Sequence, residues 1–346
     1  MMAYLCNSTI SKVITNLRFP LMLGVVLIHN VLIEPAEAAR EGMLLVAFVI
    51  EFLSHQFVAP CVPLFFFISG YLFFLKFGDR FHAIDYRTQL KKRVRTLLIP
   101  YIFWNLVVLG YFALLHKFVP SLINPEFNNV YQFSTMEWIR SFWDFPGGQP
   151  ICYQFWFLRD LMLAVIISPI IFMAMKYGRW YLMVLLVALY VGKSTLFPYQ
   201  MMLTFFSLGA SFAIHRYDFV AVATKCVIPS AILFGILAIT TSLNPEWGGR
   251  GLIIVTGSIV FIWIASRLRL INSNLAESGF FIYAFHGFPI LLLSKVLVSV
   301  LHPNNTIAWL GCYIGCFVAI VFLSLILYIG LKRFFPKFTA IITGGR

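Results

Sequence analysis

The sequence predicts an all-α integral-membrane protein, a polytopic bundle of about ten transmembrane helices. Composition, hydropathy runs and the placement of basic residues each point there. Of 346 residues, 61% are hydrophobic and only 11% are charged, with a mean hydropathy of +0.89. Soluble chains carry about 25% charged and about 45–50% apolar residues. A folded chain of this length still exposes about a quarter of the surface of its unfolded form. Water does not tolerate so apolar a surface; a bilayer does. Aromatic residues reach 17%, with phenylalanine outnumbering tyrosine and tryptophan together, as expected of a lipid-facing exterior bordered by tryptophan and tyrosine.

A helix needs about 20 apolar residues to cross the hydrocarbon layer. Such stretches fall at 17–33, 57–77, 97–117, 154–175, 180–197, 200–215, 226–243, 251–266, 279–300 and 306–331. The fifth and sixth are short, are separated by Phe197-Pro198-Tyr199, and also fit a re-entrant pair. Residues 42–56 are apolar but shorter and hold Glu51 and His55, which reads as an interfacial or partly inserted helix on the outer side. The first helix is expected to be a retained anchor, because no small-residue cleavage site follows Arg18. The outer loop from 118 to 153 is the longest connection and carries Trp138, Trp143, four prolines and Gly147-Gly148, the profile of a functional or lid-like loop. We expect a single integral-membrane domain over 1–346, with no extramembrane catalytic domain and no internal repeat.

Orientation follows from the basic residues. With the N-terminus inside, nineteen of the twenty-six Lys and Arg fall in inner segments, five in outer ones, and Arg159 and Lys295 within spans. That asymmetry places both termini in the cytoplasm. The formal charge of +13 does not imply nucleic acid, because its densest run, Lys91-Lys92-Arg93-Val94-Arg95, directly precedes an apolar stretch. Positive-inside loops and contact with anionic membrane lipid account for it. Six scattered cysteines show no CxxC or His-paired spacing, so neither a metal site nor a disulfide framework is indicated.

Ionisable groups inside a span are expensive and mark function by default. Arg18 and His29 are eleven positions apart, and eleven steps of about 100° return the helix nearly to its starting face, about 16 Å further along. One stripe therefore holds a cation at the cytoplasmic mouth and an imidazole deeper in. A fixed cation suits a phosphate-bearing donor, and neutral imidazole suits a hydroxyl proton near neutral pH. A snorkelling arginine and a hydrogen-bonded histidine are the structural alternative. In Val62-Pro63-Leu64-Phe65-Phe66-Phe67-Ile68-Ser69-Gly70-Tyr71-Leu72, Ser69-Gly70 lets another helix approach closely, which favours packing over nucleophilic chemistry. No Gly-x-Ser-x-Gly elbow occurs.

Taken in order, five features resemble the integral-membrane acyltransferase-3 family. They are Arg18 with His29, Pro63 to Leu72, the basic run before Pro100-Tyr101, Gln154-Phe155-Trp156-Phe157-Leu158-Arg159-Asp160-Leu161, and Phe281-Ile282-Tyr283-Ala284-Phe285-His286. The resemblance implies a ten-helix domain that moves an acyl group, usually acetyl, from cytoplasmic acyl-coenzyme A to a hydroxyl of a cell-envelope glycan or lipid-linked sugar. It implies a multi-pass protein of the bacterial inner membrane, with acetyl-coenzyme A as co-substrate and no bound cofactor. One departure is Lys92-x-x-Arg95 in place of an Arg-x-x-Arg pair, since lysine lacks the bidentate fork. By this resemblance His29 is the general base or transient acyl acceptor, and Arg18 on the same stripe is a candidate for the coenzyme A phosphates. Lys92, Arg93 and Arg95 are expected to hold the coenzyme phosphates. Arg159, His286, Glu51, Ser69 and Tyr71 are candidates for the acceptor or the oxyanion. Asp160 is expected to point away from Arg159. A secondary transporter or polysaccharide exporter is the rival class, and a silent membrane scaffold is a third. Gly311-x-x-x-Gly315 fits a homodimer face or, as we expect, an intramolecular contact.

Overall fold

A computed structural model describes residues 8–78, 80–119, 129–144, 148–193, 199–269 and 273–345. Among them the regular elements are all helices, and the chain is a multi-pass membrane protein. Helix α1 spans Ser8–Ile28 and α2 Pro35–Arg40. Helix α3, Leu44–Ile50, continues through a wider π-helical segment, Glu51–Phe57, toward α4, Cys61–Phe74. Helix α5, Ala83–Arg93, likewise passes through a π segment, Val94–Leu98, into α6, Ile99–Phe118. Then follow α7 Thr135–Ser141, α8 Trp156–Ile166, α9 Ser168–Val191, α10 Gln200–Ile214, α11 Phe219–Leu243 and α12 Arg250–Arg267. The chain closes with α13 Ser273–Phe285, α14 Gly287–Leu301, α15 Thr306–Phe334 and α16 Pro336–Ile342.

Among the described residues, seven helices are long and apolar enough to cross a membrane, or eight if the pair α13 and α14, bent by 69°, is one span. The difference from the ten predicted stretches lies in 154–215. Pro169 cannot donate to the preceding turn, and α8 stops before it. Helix α9 is interrupted at Arg179, whose φ of 47° and ψ of −139° lie outside the helical region. Helix α10 is apolar but only 15 residues long. Residues 42–56 also differ from their reading as an interfacial piece: 44–57 runs on toward α4 as one apolar stretch, Leu44–Phe74, and is largely enclosed.

The phenylalanines depart from the lipid-facing expectation. Phe66, Phe73, Phe74, Phe155, Phe172, Phe206 and Phe281 are fully buried. Lipid tails are as apolar as the interior, so helix association rests on shape and dispersion rather than on expelling water. Flat rings fill such an interior well, as where Phe77 and Phe81 stack with centroids 4.3 Å apart. The Gly311 and Gly315 faces are exposed, with open space where a Cβ would stand, so the expected intramolecular contact at that pair is not made.

Helix α4 packs chiefly on α10, and small residues set the distance. A Cβ on Gly209 would lie 2.0 Å from the Phe67 carbonyl oxygen, and one on Gly70 would lie 2.2 Å from that of Phe206. The two backbones touch there. Gly209→Ala should therefore force the helices apart and destabilise the protein by about 1–3 kcal/mol, read as a lowered unfolding temperature in detergent. Gly110→Ala, where a Cβ meets nothing within 4 Å, is the matched control. Equal melting of the two variants would contradict the backbone contact.

Candidate functional site

Helix α1 ends at Ile28, and His29 sits in the turn beyond it. Met22, Val25 and His29 line a cavity of about 180 Å³, whereas Arg18, one turn before Met22 on α1, does not. The other walls come from α4 (Val62, Pro63, Phe65, Ser69), α8 (Trp156, Phe157, Leu161), Leu97 of the second π segment, Tyr283, and Arg250 at the start of α12. The cavity thus reaches from the end of the basic segment to the N-terminal end of α12. Its wall is mostly apolar, with His29 among the polar residues that line it.

The rear of the His29 ring is held by two aromatic neighbours. Tyr153 meets it edge-on with centroids 5.0 Å apart, and the His286 ring lies 5.3 Å away at a tilt of 33°. His286 is fully buried at the junction of α13 and α14. Its Nδ1 pairs with the Ile282 carbonyl at 3.0 Å. A carbonyl only accepts, so Nδ1 carries the hydrogen and Nε2 presents a lone pair. That Nε2 is buried with no hydrogen-bond partner in the structure.

The bend carrying His286 is built by the turn before α8. Tyr283 donates its hydroxyl to the Gln154 carbonyl at 2.6 Å, Gln154 Nε2 donates to the Ala284 carbonyl at 3.1 Å, and Tyr153 donates to the Gly287 carbonyl at 3.2 Å. Phe155 stacks on Tyr283 at 5.4 Å. Gly287 is required here, because a Cβ would fall 2.5 Å from the buried Gln154 amide. Two of the motifs quoted from the sequence are therefore one structural unit that seats His286 behind His29.

The remaining predicted residues separate. Ser69 lines the cavity, whereas Tyr71 is buried against Phe219 at 5.2 Å and does not. Glu51 is buried, not at a solvated entrance: its carboxylate accepts from His55 Nδ1 at 2.8 Å and Gln56 Nε2 at 2.7 Å. Arg159 holds the outer loop, donating to the Trp143 and Gly148 carbonyls at 2.8 and 2.9 Å. It also pairs through Nε with Asp160 at 3.0 Å, contrary to the expectation that the two diverge. The long arginine side chain curls back within the first turn of α8. Pro120, Pro125, Pro146 and Gly147 of that loop lie outside the described residues.

On the basic segment, Lys92 and Arg95 are exposed, while Arg93 is half-buried with its guanidinium 5.9 Å from the Phe73 ring centre. Its buried Nε has no hydrogen-bond partner in the structure. Lys76, unremarked in the sequence, joins them: partial burial, and then the charges of Lys92 and Arg93, hold its ammonium below the ordinary lysine range. Three cations crowded at one place form a site for anions. Arg18 is exposed on α1.

A family described as an acyltransferase domain matches residues 12–329. The chain belongs to the integral-membrane acyltransferase-3 family. A curated relative is the succinoglycan biosynthesis protein ExoH of Rhizobium meliloti (strain 1021), 24% identical over 369 residues. The alignment covers 98% of this chain and 94% of the relative. No solved structure matches it.

Proposed function

We propose that the protein transfers an acyl group, most simply acetyl, from cytoplasmic acyl-coenzyme A to a hydroxyl of a cell-envelope glycan or lipid-linked sugar. It does so from the bacterial inner membrane with both termini in the cytoplasm. The observation that carries this reading is the His29 ring on the wall of a membrane-embedded cavity that begins beside the basic segment. The family supplies the reaction class, and the name of the relative supports a glycan acceptor.

In this reading Lys92, Arg93 and Arg95, together with Lys76, hold the coenzyme phosphates. The acyl chain enters the cavity past Leu97. The acceptor hydroxyl attacks the thioester carbonyl carbon while His29 takes its proton. The tetrahedral oxyanion accepts a hydrogen bond from the Ser69 hydroxyl. The carbon–sulfur bond then breaks, and the proton returns from His29 to the leaving thiolate. His286 does not touch substrate; its ring, 5.3 Å from that of His29, packs against it and keeps it in place. Arg18 steers the anionic donor from one turn below the cavity.

Sealed vesicles of known orientation test the reading. Acyl-coenzyme A labelled in its acyl group should label extracted glycan when offered to inside-out vesicles and not to right-side-out ones. Labelling from the opposite face would overturn both the orientation and the donor site.

A further inference from the structure

Arg250 has no task in the mechanism above. Among the described residues lining the cavity it is the one with a fixed charge, and its neighbours there include Met22, Met201 and Ile254. It is the first residue of an 18-residue helix, so its guanidinium and the partial positive charge of the helix N-terminus add at one end of the cavity. The acid within electrostatic reach is Glu51. Both Glu51 oxygens are already taken by His55 and Gln56, and Arg250 is in none of the ion pairs of the described residues. Lys193 stands near: its Nζ would lie 3.3 Å from a Cβ on Gly248. Arg250 is exposed as well as lining the cavity, so it marks the mouth of an otherwise mostly apolar chamber, a fixed cation open to an incoming anion. The planar fork of arginine fits a carboxylate through two parallel hydrogen bonds.

We infer that Arg250 is a carboxylate-binding subsite of the cavity and selects substrates that bring a carboxylate to it. The inference rests on the acyl-transfer reading and deepens it. The carboxylate has two possible sources with the same chemistry. It is the far end of a dicarboxylic acyl chain on the donor, or an acidic substituent of the acceptor glycan near the reacting hydroxyl.

The test compares ratios, in wild type, Arg250→Gln and Arg250→Lys protein reconstituted in vesicles. Succinyl- and butyryl-coenzyme A serve as donors of equal chain length that differ in a terminal carboxylate against a methyl. Glycan extracted from a strain lacking the gene serves as acceptor, before and after methyl-esterification of its carboxyls. If the donor brings the carboxylate, the kcat/KM ratio of succinyl over butyryl should fall about ten- to a hundredfold in Arg250→Gln, the loss of one charge-assisted contact. If the acceptor brings it, the preference for free over esterified glycan should fall by that factor and the donor ratio should hold. Arg250→Lys, which keeps the charge without the fork, should fall between, and it carries the test if Arg250→Gln does not insert. Wild-type ratios in the variants would overturn the inference and leave Arg250 as a distant balance to Glu51. Absence of transfer by the wild type from these two donors and from acetyl-coenzyme A alike would instead overturn the acyl-transfer reading, and the inference with it.

Discussion

His29→Gln protein, inserted at the wild-type level, is expected to lose about 10²–10⁴ in transfer rate, the usual loss of a general base. Glutamine keeps hydrogen-bonding capacity and similar bulk but takes no proton near neutral pH. The side chain sits in the turn after α1 with Tyr153 and His286 behind it and the cavity in front. Nothing else on that wall offers a comparable proton acceptor: Arg250 is a fixed cation, the Tyr283 hydroxyl is committed to the Gln154 carbonyl, and the carboxylates of Glu51 and Asp160 are held by His55, Gln56 and Arg159 away from the cavity. Kinetics at saturating donor check the expectation. Transfer by His29→Gln at the wild-type rate would make the histidine a packing residue and remove it from the mechanism.

Replacing both Arg93 and Arg95 by alanine is expected to raise the apparent KM for acyl-coenzyme A by about ten- to a hundredfold, at about 1.5–3 kcal/mol per charge-assisted bond. The effect belongs in KM because these residues bind a part of the donor that does not change during the reaction. Arg93 is half-buried over Phe73 and is the better anchored of the two. A folded double variant with unchanged donor kinetics would return the segment to a role in membrane orientation alone.

The sequence displays local periodicity well and distant contact poorly. A separation of eleven positions puts Arg18 and His29 on one helical face, since helical phase is a property of adjacent turns, but it does not reveal that the cavity takes in His29 and leaves Arg18 out. The Pro63–Leu72 motif and Tyr283–His286 are likewise visible as residues worth attention. What they touch is not. The pairing of His286 with His29 depends on the 69° bend between α13 and α14, and the bend depends on Gln154, 130 positions before Ala284. Arg250 reads as one more outer-loop cation until the fold brings the start of α12 to the cavity. Glu51 looks like an interfacial acid because its neighbours in sequence are apolar and short, yet the π segment turns His55 and Gln56 back onto it. Arg159 looks like an intramembrane functional cation, and its carbonyl partners lie in a loop that hydropathy cannot place.

Mass spectrometry of the envelope glycans, from a strain lacking the gene and from the same strain carrying wild-type or His29→Gln protein, tests the central claim most directly. The account predicts that one acyl increment is absent without the gene, is restored by the wild type, and is not restored by His29→Gln at equal membrane abundance. Its mass also identifies the acyl group, and so bears on Arg250. Identical glycan masses in the gene-deleted and wild-type-complemented strains would contradict acyl transfer to an envelope glycan.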